Sequence, residues 1–164
     1  MAKHGAVRRP SRAAEWMLAG VVLVLAGASA ADSVEFVRVT AETANVRKAP
    51  ARGAELLRQA FEDDPLRVIA SRGAWLKVRD FEGQEGWIHS RLTDGQATVI
   101  VTAAVANVRS GPGTTHAVTY TAERGVAFRV IGTRAHWLQV THADGARGWI
   151  HRELVWGDTP GSKS

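Results

Sequence analysis

Apolar and polar positions alternate along this chain in short runs, and the clearest run occurs twice. In Trp75-Leu76-Lys77-Val78-Arg79, Leu76 and Val78 share one parity and Trp75, Lys77 and Arg79 the other, which is the two-residue period of a half-buried strand. A turn over residues 80–83 ends in Gly83, and a second β-type run follows, Gly86-Trp87-Ile88-His89. The segment predicts a hairpin with Leu76, Val78, Gly86 and Ile88 facing a core, and with Trp75, Trp87 and His89 facing away from it. Residues 137–151 repeat this hairpin, so that Trp75 returns as Trp137 and Trp87 as Trp149, a period of 62 residues. The period holds without a gap for residues 37–92 against 99–154, and 23 of the 56 positions are identical. A repeat of that length is one folding unit, so the chain holds two.

Within each unit the pattern predicts strands near 34–41, 55–60, 66–71, 74–80 and 85–89, with equivalents 62 residues later, and a brief helical turn closed by Leu92 or Leu154. Short strands with turn residues in nearly every gap, and no helical period, predict an all-β fold of two small tandem barrels. Asn45 and Asn107 stand before a β-branched Val and read as turn positions that tolerate positive φ. Gly86 and Gly148 read as places where the sheet coils closely at a barrel corner. Only residues 93–98 separate the units, too few to hold them apart, so the barrels are expected to touch.

The first thirty residues follow another pattern. Lys3, Arg8, Arg9 and Arg12 precede an apolar run from Trp16 to Gly27, and Ala28-Ser29-Ala30 gives the small-x-small signature of a cleavage site. We read residues 1–30 as a cleaved secretory signal, residues 34–94 and 97–156 as the two barrels, and residues 157–164 as a flexible tail. The alternative is an uncleaved membrane anchor, which the apolar run, well short of the roughly 20 residues that span a bilayer, disfavours; no stable membrane insertion is expected after cleavage. Pro10 and Ser11 follow the arginine pair where a twin-arginine signal has apolar residues.

Charge and composition narrow the function. The 21 Lys and Arg against 16 Asp and Glu make the chain basic, but residues 1–30 hold four of those bases and only Glu15, which leaves 17 against 15. Opposite charges are interspersed along the rest, unlike the clustered basic face of a nucleic-acid binder. The chain has no cysteine, which excludes an acylated-Cys anchor, disulfides and thiolate zinc sites. Each barrel must therefore hold itself together by packing alone.

The stretch Ala106 to His116, ANVRSGPGTTH, with the later FRVIG, W-L-x-V and GWIH segments, resembles the bacterial SH3 domain, a small SH3-like barrel of exported cell-envelope proteins. The resemblance covers both repeats. The second keeps Asn107, Val108, Arg109, Ser110, Gly111 and Pro112 as a full N-V-R-S-G-P run, whereas the first has Lys48 and Ala49 in place of Ser and Gly. Its opening loop is therefore expected to differ in shape. The resemblance implies a binding or targeting module directed at peptidoglycan, of the kind often joined to a cell-wall hydrolase.

Candidate chemistry fits binding better than catalysis. Ser33, Ser71, Ser90 and Ser110 lie in no G-x-S-x-G context, and the oxygen ligands near His136, His142 and His151 are thin, so no catalytic residue, metal or cofactor is expected. His89 and His151 read as structural, packing behind the last strand and bonding a nearby carbonyl. Arg47 and Arg109 are expected to satisfy loop carbonyls, with an anionic ligand as the alternative. Trp87 and Trp149 directly follow a glycine, which favours packing, while Trp75 and Trp137 suit either a ligand groove or a second small core. The candidate ligand-binding set is Trp137, Trp75, Arg109, Ser110, Trp149 and Trp87. Peptidoglycan or another envelope protein is the expected partner; nucleic acid is not.

Overall fold

The computed structural model describes residues 35–160, and the signal segment expected over 1–30 lies outside them. In the first repeat the strands are β1 (Phe36–Val39), β2 (Thr43–Arg47), β3 (Leu56–Phe61), β4 (Pro65–Arg72), β5 (Trp75–Arg79), β6 (Glu85–His89) and β7 (Thr93–Asp94). The second repeat runs β8 (Thr98–Val101), β9 (Val105–Arg109), β10 (Val118–Glu123), β11 (Ala127–Arg134), β12 (Trp137–Thr141), β13 (Arg147–His151) and β14 (Val155–Gly157). Each set forms one antiparallel sheet in the same spatial order, β3-β2-β6-β5-β4-β1-β7 and β10-β9-β13-β12-β11-β8-β14. A one-turn 3-10 helix follows β6 and β13, at Ser90–Leu92 and Arg152–Leu154.

The two cores superimpose on the 62-residue period. Val99, Val101, Ala106, Val108, Ala122, Phe128, Val130, Leu138, Val140 and Ile150 are the buried cluster of the second barrel. Eight of their counterparts, from Val37 to Ile88, are the buried cluster of the first, and Val68 and Leu76 complete the set half-buried. Each fully buried Val, Leu, Ile or Phe contributes about 1.5–3 kcal/mol relative to exposure, so these clusters supply the main stabilisation of barrels without disulfides. Gly86 and Gly148 sit where β6 and β13 cross close to β2 and β9. A Cβ at Gly86 would overlap the Val46 side chain, and one at Gly148 would lie 2.5 Å from Val108 Cγ1.

Three local readings are corrected. Asn45 and Asn107 lie inside β2 and β9, and among the described residues the non-glycine positions with positive φ are Asp63 and Ala135. Alternation Ala-Asn-Val with Ala44 and Val46 buried makes these strands, and two inward residues are a short signal beside a polar Asn. The segment 155–157 is a strand, with Trp156 opposite Ile100 in the β14–β8 ladder, and Asp158 N–H donates to Thr98 O at 2.9 Å, so the expected tail begins inside the fold.

The opening loops are the third. Lys48 N–H donates to Glu55 O, Ala51 N–H to Ala49 O and Ala54 N–H to Ala51 O; the second loop repeats all three as Ser110 to Ala117, Gly113 to Gly111 and His116 to Gly113. One backbone design carries two sequences because the substitutions compensate. A Cβ at Gly111 would lie 2.5 Å from the His116 imidazole, whereas the first loop has the small Ala54 in the place of His116 and Ala49 in that of Gly111.

The barrels touch through side chains of both. Asp63 is buried, receives Arg38 Nη1 at 3.3 Å and has Arg129 Nε at 3.4 Å from its Oδ2, a distance of ion pairing without hydrogen-bond alignment. Phe36 meets Trp156 edge-on with ring centroids 5.0 Å apart, and the Arg124 guanidinium lies 5.3 Å over the Phe81 ring.

Candidate functional site

Strand register brings the outward aromatic residues to the same spot on each barrel. Trp75 begins β5 and stands directly across from His89 at the end of β6; Trp137 and His151 form the same pair on β12 and β13. Ring centroids are 5.1 Å apart in both, tilted by 60° in the first and 80° in the second. In the second barrel His136 extends this surface, 6.1 Å from His151. The outward residues of β2 and β9 lie beside these pairs, and the 3-10 turns add a leucine.

The result is an open groove on each barrel. The first, of about 250 Å³, is lined by Asn45, Arg47, Trp75, His89 and Leu92, together with Thr43, Arg52 and Arg91. The second, of about 290 Å³, is lined by Asn107, Arg109, Thr114, Trp137, His151 and Leu154. Asn, Arg, Trp, His and Leu match between them at the repeat period. Both tryptophans are half-buried, with one face supported by the barrel and the rest open to the groove.

The arginines bond loop carbonyls, as expected. Arg47 Nη1 donates to Ala54 O at 2.8 Å, and Arg109 Nη1 donates to His116 O at 2.8 Å and Thr114 O at 3.1 Å, so each holds its opening loop against the groove. The histidines do not bond a carbonyl as expected. His89 Nδ1 accepts from Arg91 N–H at 3.3 Å and caps the 3-10 turn, while His151 Nδ1 lies 3.8 Å from Glu153 Oε2.

Of the predicted set, the structure brings Trp75, Trp137 and Arg109 into the grooves. Trp87 and Trp149 lie one register step away, opposite Lys77 and Gln139, and adjoin Arg47 and Arg109 across the next ladder. Ser110 is exposed in the loop and its N–H donates to Ala117 O. Asn107, His151 and Leu154, with their first-repeat counterparts, are lining residues that sequence reasoning assigned to turns and structure. Their signal was available: all three are identical in the two repeats, and the polar Asn107 and His151 have no place in the core pattern. No group of three or more His, Asp and Glu side chains that could hold a metal occurs among the described residues.

Two larger clefts are also related by the period. One, of about 610 Å³, lies on the second barrel beside Tyr120, Phe128, His142 and Asp144. Its counterpart beside Arg58, Leu66, Asp80 and Glu82 is narrowed to about 420 Å³ because Ile100 and Gly125 of the second barrel close over it. The first-barrel cleft is where the second barrel docks, whereas the second-barrel cleft and both tryptophan grooves are each lined by one barrel alone.

A family model for the bacterial SH3 domain matches the chain twice, over residues 40–95 and 102–157. The chain belongs to the bacterial SH3 domain family. Both SH3 repeats are thereby accounted for, and each match falls within one of the two sheets, beginning directly after its first strand. The chain is similar to the Bacillus subtilis (strain 168) protein YrvJ, named as an N-acetylmuramoyl-L-alanine amidase, with 25% identity over 128 residues. That alignment covers 71% of this chain and 24% of YrvJ. Among solved structures, NlpC2 from Trichomonas vaginalis matches with a TM-score of 0.36 and 11% identity, over 77% of this chain and 49% of that one. An NlpC/P60 family protein from Bacillus cereus matches with a TM-score of 0.35 and 15% identity, over 74% of this chain and 56% of that one. The chain thus spans about a quarter of YrvJ and about half of each structure.

Proposed function

We propose that this chain is an exported, non-catalytic tandem of bacterial SH3 domains that binds peptidoglycan through its stem peptides, using the Trp75 and Trp137 grooves. The observation that carries the reading is the preservation of one groove in two copies. Fewer than half of the repeat positions are identical, yet Asn, Arg, Trp, His and Leu of the groove all are. Half-buried indoles beside polar side chains suit peptide and glycan contact, because they offer apolar area at small entropic cost. Arg109 and Arg47 line the floor, and Trp149, Trp87 and Ser110 extend the contact at its margins. The likeness to YrvJ supports a wall ligand, since N-acetylmuramoyl-L-alanine is the junction of glycan and stem peptide. The basic, apolar and small-residue pattern of residues 1–30 supports export to the envelope.

A protein-adaptor reading has one observation of its own. Leu56, Leu57 and Phe61 on the edge strand β3 are 48%, 46% and 58% exposed, a surface on which another exported protein could add. Cosedimentation of the mature protein with purified sacculi separates the two. Retention in the pellet is the expected result, and a protein left in the supernatant favours the adaptor.

A further inference from the structure

The two grooves share their floor and differ at the positions that set their charge. Where the first has Thr43, Arg52 and Arg91, the second has Val105, Thr114 and Glu153. Three guanidinium groups, Arg47, Arg52 and Arg91, therefore line the first groove, and no acidic side chain does. Arg47 is committed to the Ala54 carbonyl. Arg52 and Arg91 are exposed, and neither side chain has a hydrogen-bond or ion-pair partner among the described residues. The nearby Lys48 and Glu55 close on each other at 3.1 Å and leave that excess uncompensated. In the second groove Arg109 is the single lining arginine and holds two carbonyls, while Glu153 stands beside His151.

We infer that the two grooves divide one ligand between them: the first takes a free carboxylate of the peptide, and the second takes an uncharged stretch. This rests on the stem-peptide reading above. An unpartnered guanidinium is the side chain best matched to a carboxylate, since it is always charged and its planar donors can engage both oxygens. Trp75 supplies the apolar surface beside it. Arg52 and Arg91 are then the specificity-determining residues, and the contrast with Thr114 and Glu153 assigns that preference to one barrel. Two like grooves with unlike rims also fix which barrel meets which part of the ligand, and so a direction of binding.

The test uses the mature tandem, labelled so that the indole N–H signals of Trp75 and Trp137 are followed by NMR. The probes are a synthetic stem pentapeptide with free carboxylates and the same peptide with every carboxylate amidated. The free acid should move the Trp75 signal, with affinity about ten-fold weaker after amidation and about ten-fold weaker in Arg52→Thr/Arg91→Glu, as loss of charge-assisted contacts implies. The Trp137 response should be indifferent to amidation, and Thr114→Arg/Glu153→Arg should make it sensitive. If the Trp75 response survives amidation, or amidation weakens both signals equally, the division between grooves is overturned while stem-peptide binding stands. If neither peptide moves either signal, the stem-peptide reading fails and this inference falls with it.

Discussion

Position 128 of the second barrel holds a fully buried Phe where position 66 of the first holds Leu, and Leu138 is fully buried where Leu76 is only half so. The second barrel packs the larger core. The first carries instead an Arg38–Asp94 ion pair on its β1–β7 edge, at the place where the second has Ile100 against Trp156. The repeats diverge at most of the positions where they meet, although Arg129 and its counterpart Arg67 are the same residue. Phe36, Arg38, Asp63, Phe81 and Asp94 correspond to Thr98, Ile100, Gly125, Ala143 and Trp156, and every one of these pairs differs. Nine of the ten core positions and the groove floor are kept. A duplicated domain that docks on its own copy must break symmetry at the contact, because one barrel supplies the covering face and the other the covered cleft.

Core truncation should show the largest difference. Leu138→Ala is expected to cost about 2–5 kcal/mol, and Leu76→Ala about half as much because its side chain is already partly in water. Equal shifts in urea midpoint would remove the distinction between the cores.

Asp63 sharpens the comparison at the contact. Its φ is 67°, and its counterpart Gly125 has φ 89°, so one left-handed position is occupied by an acid in the first barrel and a glycine in the second. The carboxylate facing Arg38 and Arg129 offsets that strain. Asp63→Ala is expected to lose about 2 kcal/mol, leaving two guanidinium groups short of a partner. Asp63→Gly should lose about 1 kcal/mol less, because it relieves the backbone. Denaturation that cannot distinguish Ala from Gly there would contradict this account.

The opening loops give a smaller effect. Gly111→Ala should cost about 1–2 kcal/mol by overlap with His116, and adding His116→Ala should recover most of it, a coupling of about 1 kcal/mol in a double-mutant cycle. Additive losses would show that the Gly111–His116 and Ala49–Ala54 pairs are unrelated.

The smallest effect is in acid. Hydrogen bonding from Arg38 holds the Asp94 carboxyl below its ordinary value. Its stabilisation is therefore complete above the unfolded pKa of about 3.9 and is lost as pH falls through the lower folded value. Burial pushes Asp64 of the same barrel up, which acts with the opposite sign, so the informative quantity is the difference between wild type and Asp94→Asn. That difference should be under about 1 kcal/mol at neutral pH, given the solvent around Asp94, and should vanish near pH 2–3. A difference that persists into acid would place the stabilisation elsewhere.

Much of this was legible in the residues. The alternation in 75–79 and 85–89 and its return fixed the hairpins, their inward faces and the outward position of both tryptophans, because a period-two pattern needs only a few apolar residues to declare itself. Strand β2 was not legible, since Ala44 and Val46 flank a polar Asn45 that suits a turn equally well. Strand β14 was obscured because Trp156 owes its place to Phe36, a residue 120 positions away in the other repeat. The groove was half legible. Trp and Arg stood out by chemistry, but Asn107 and His151 gained a role only when register set them beside Trp137.

On the proposed reading, the floor shared by the two grooves binds the wall and does not merely fill a second core. Sacculus affinity of Trp75→Ala/Trp137→Ala, measured on protein shown by urea titration to remain folded, tests it against Val78→Ala/Val140→Ala as the buried control. The tryptophan pair is expected to lose about 30-fold or more in affinity, at least about 2 kcal/mol, while the valine pair loses stability and keeps its binding. Wild-type affinity in the folded tryptophan variant would contradict it.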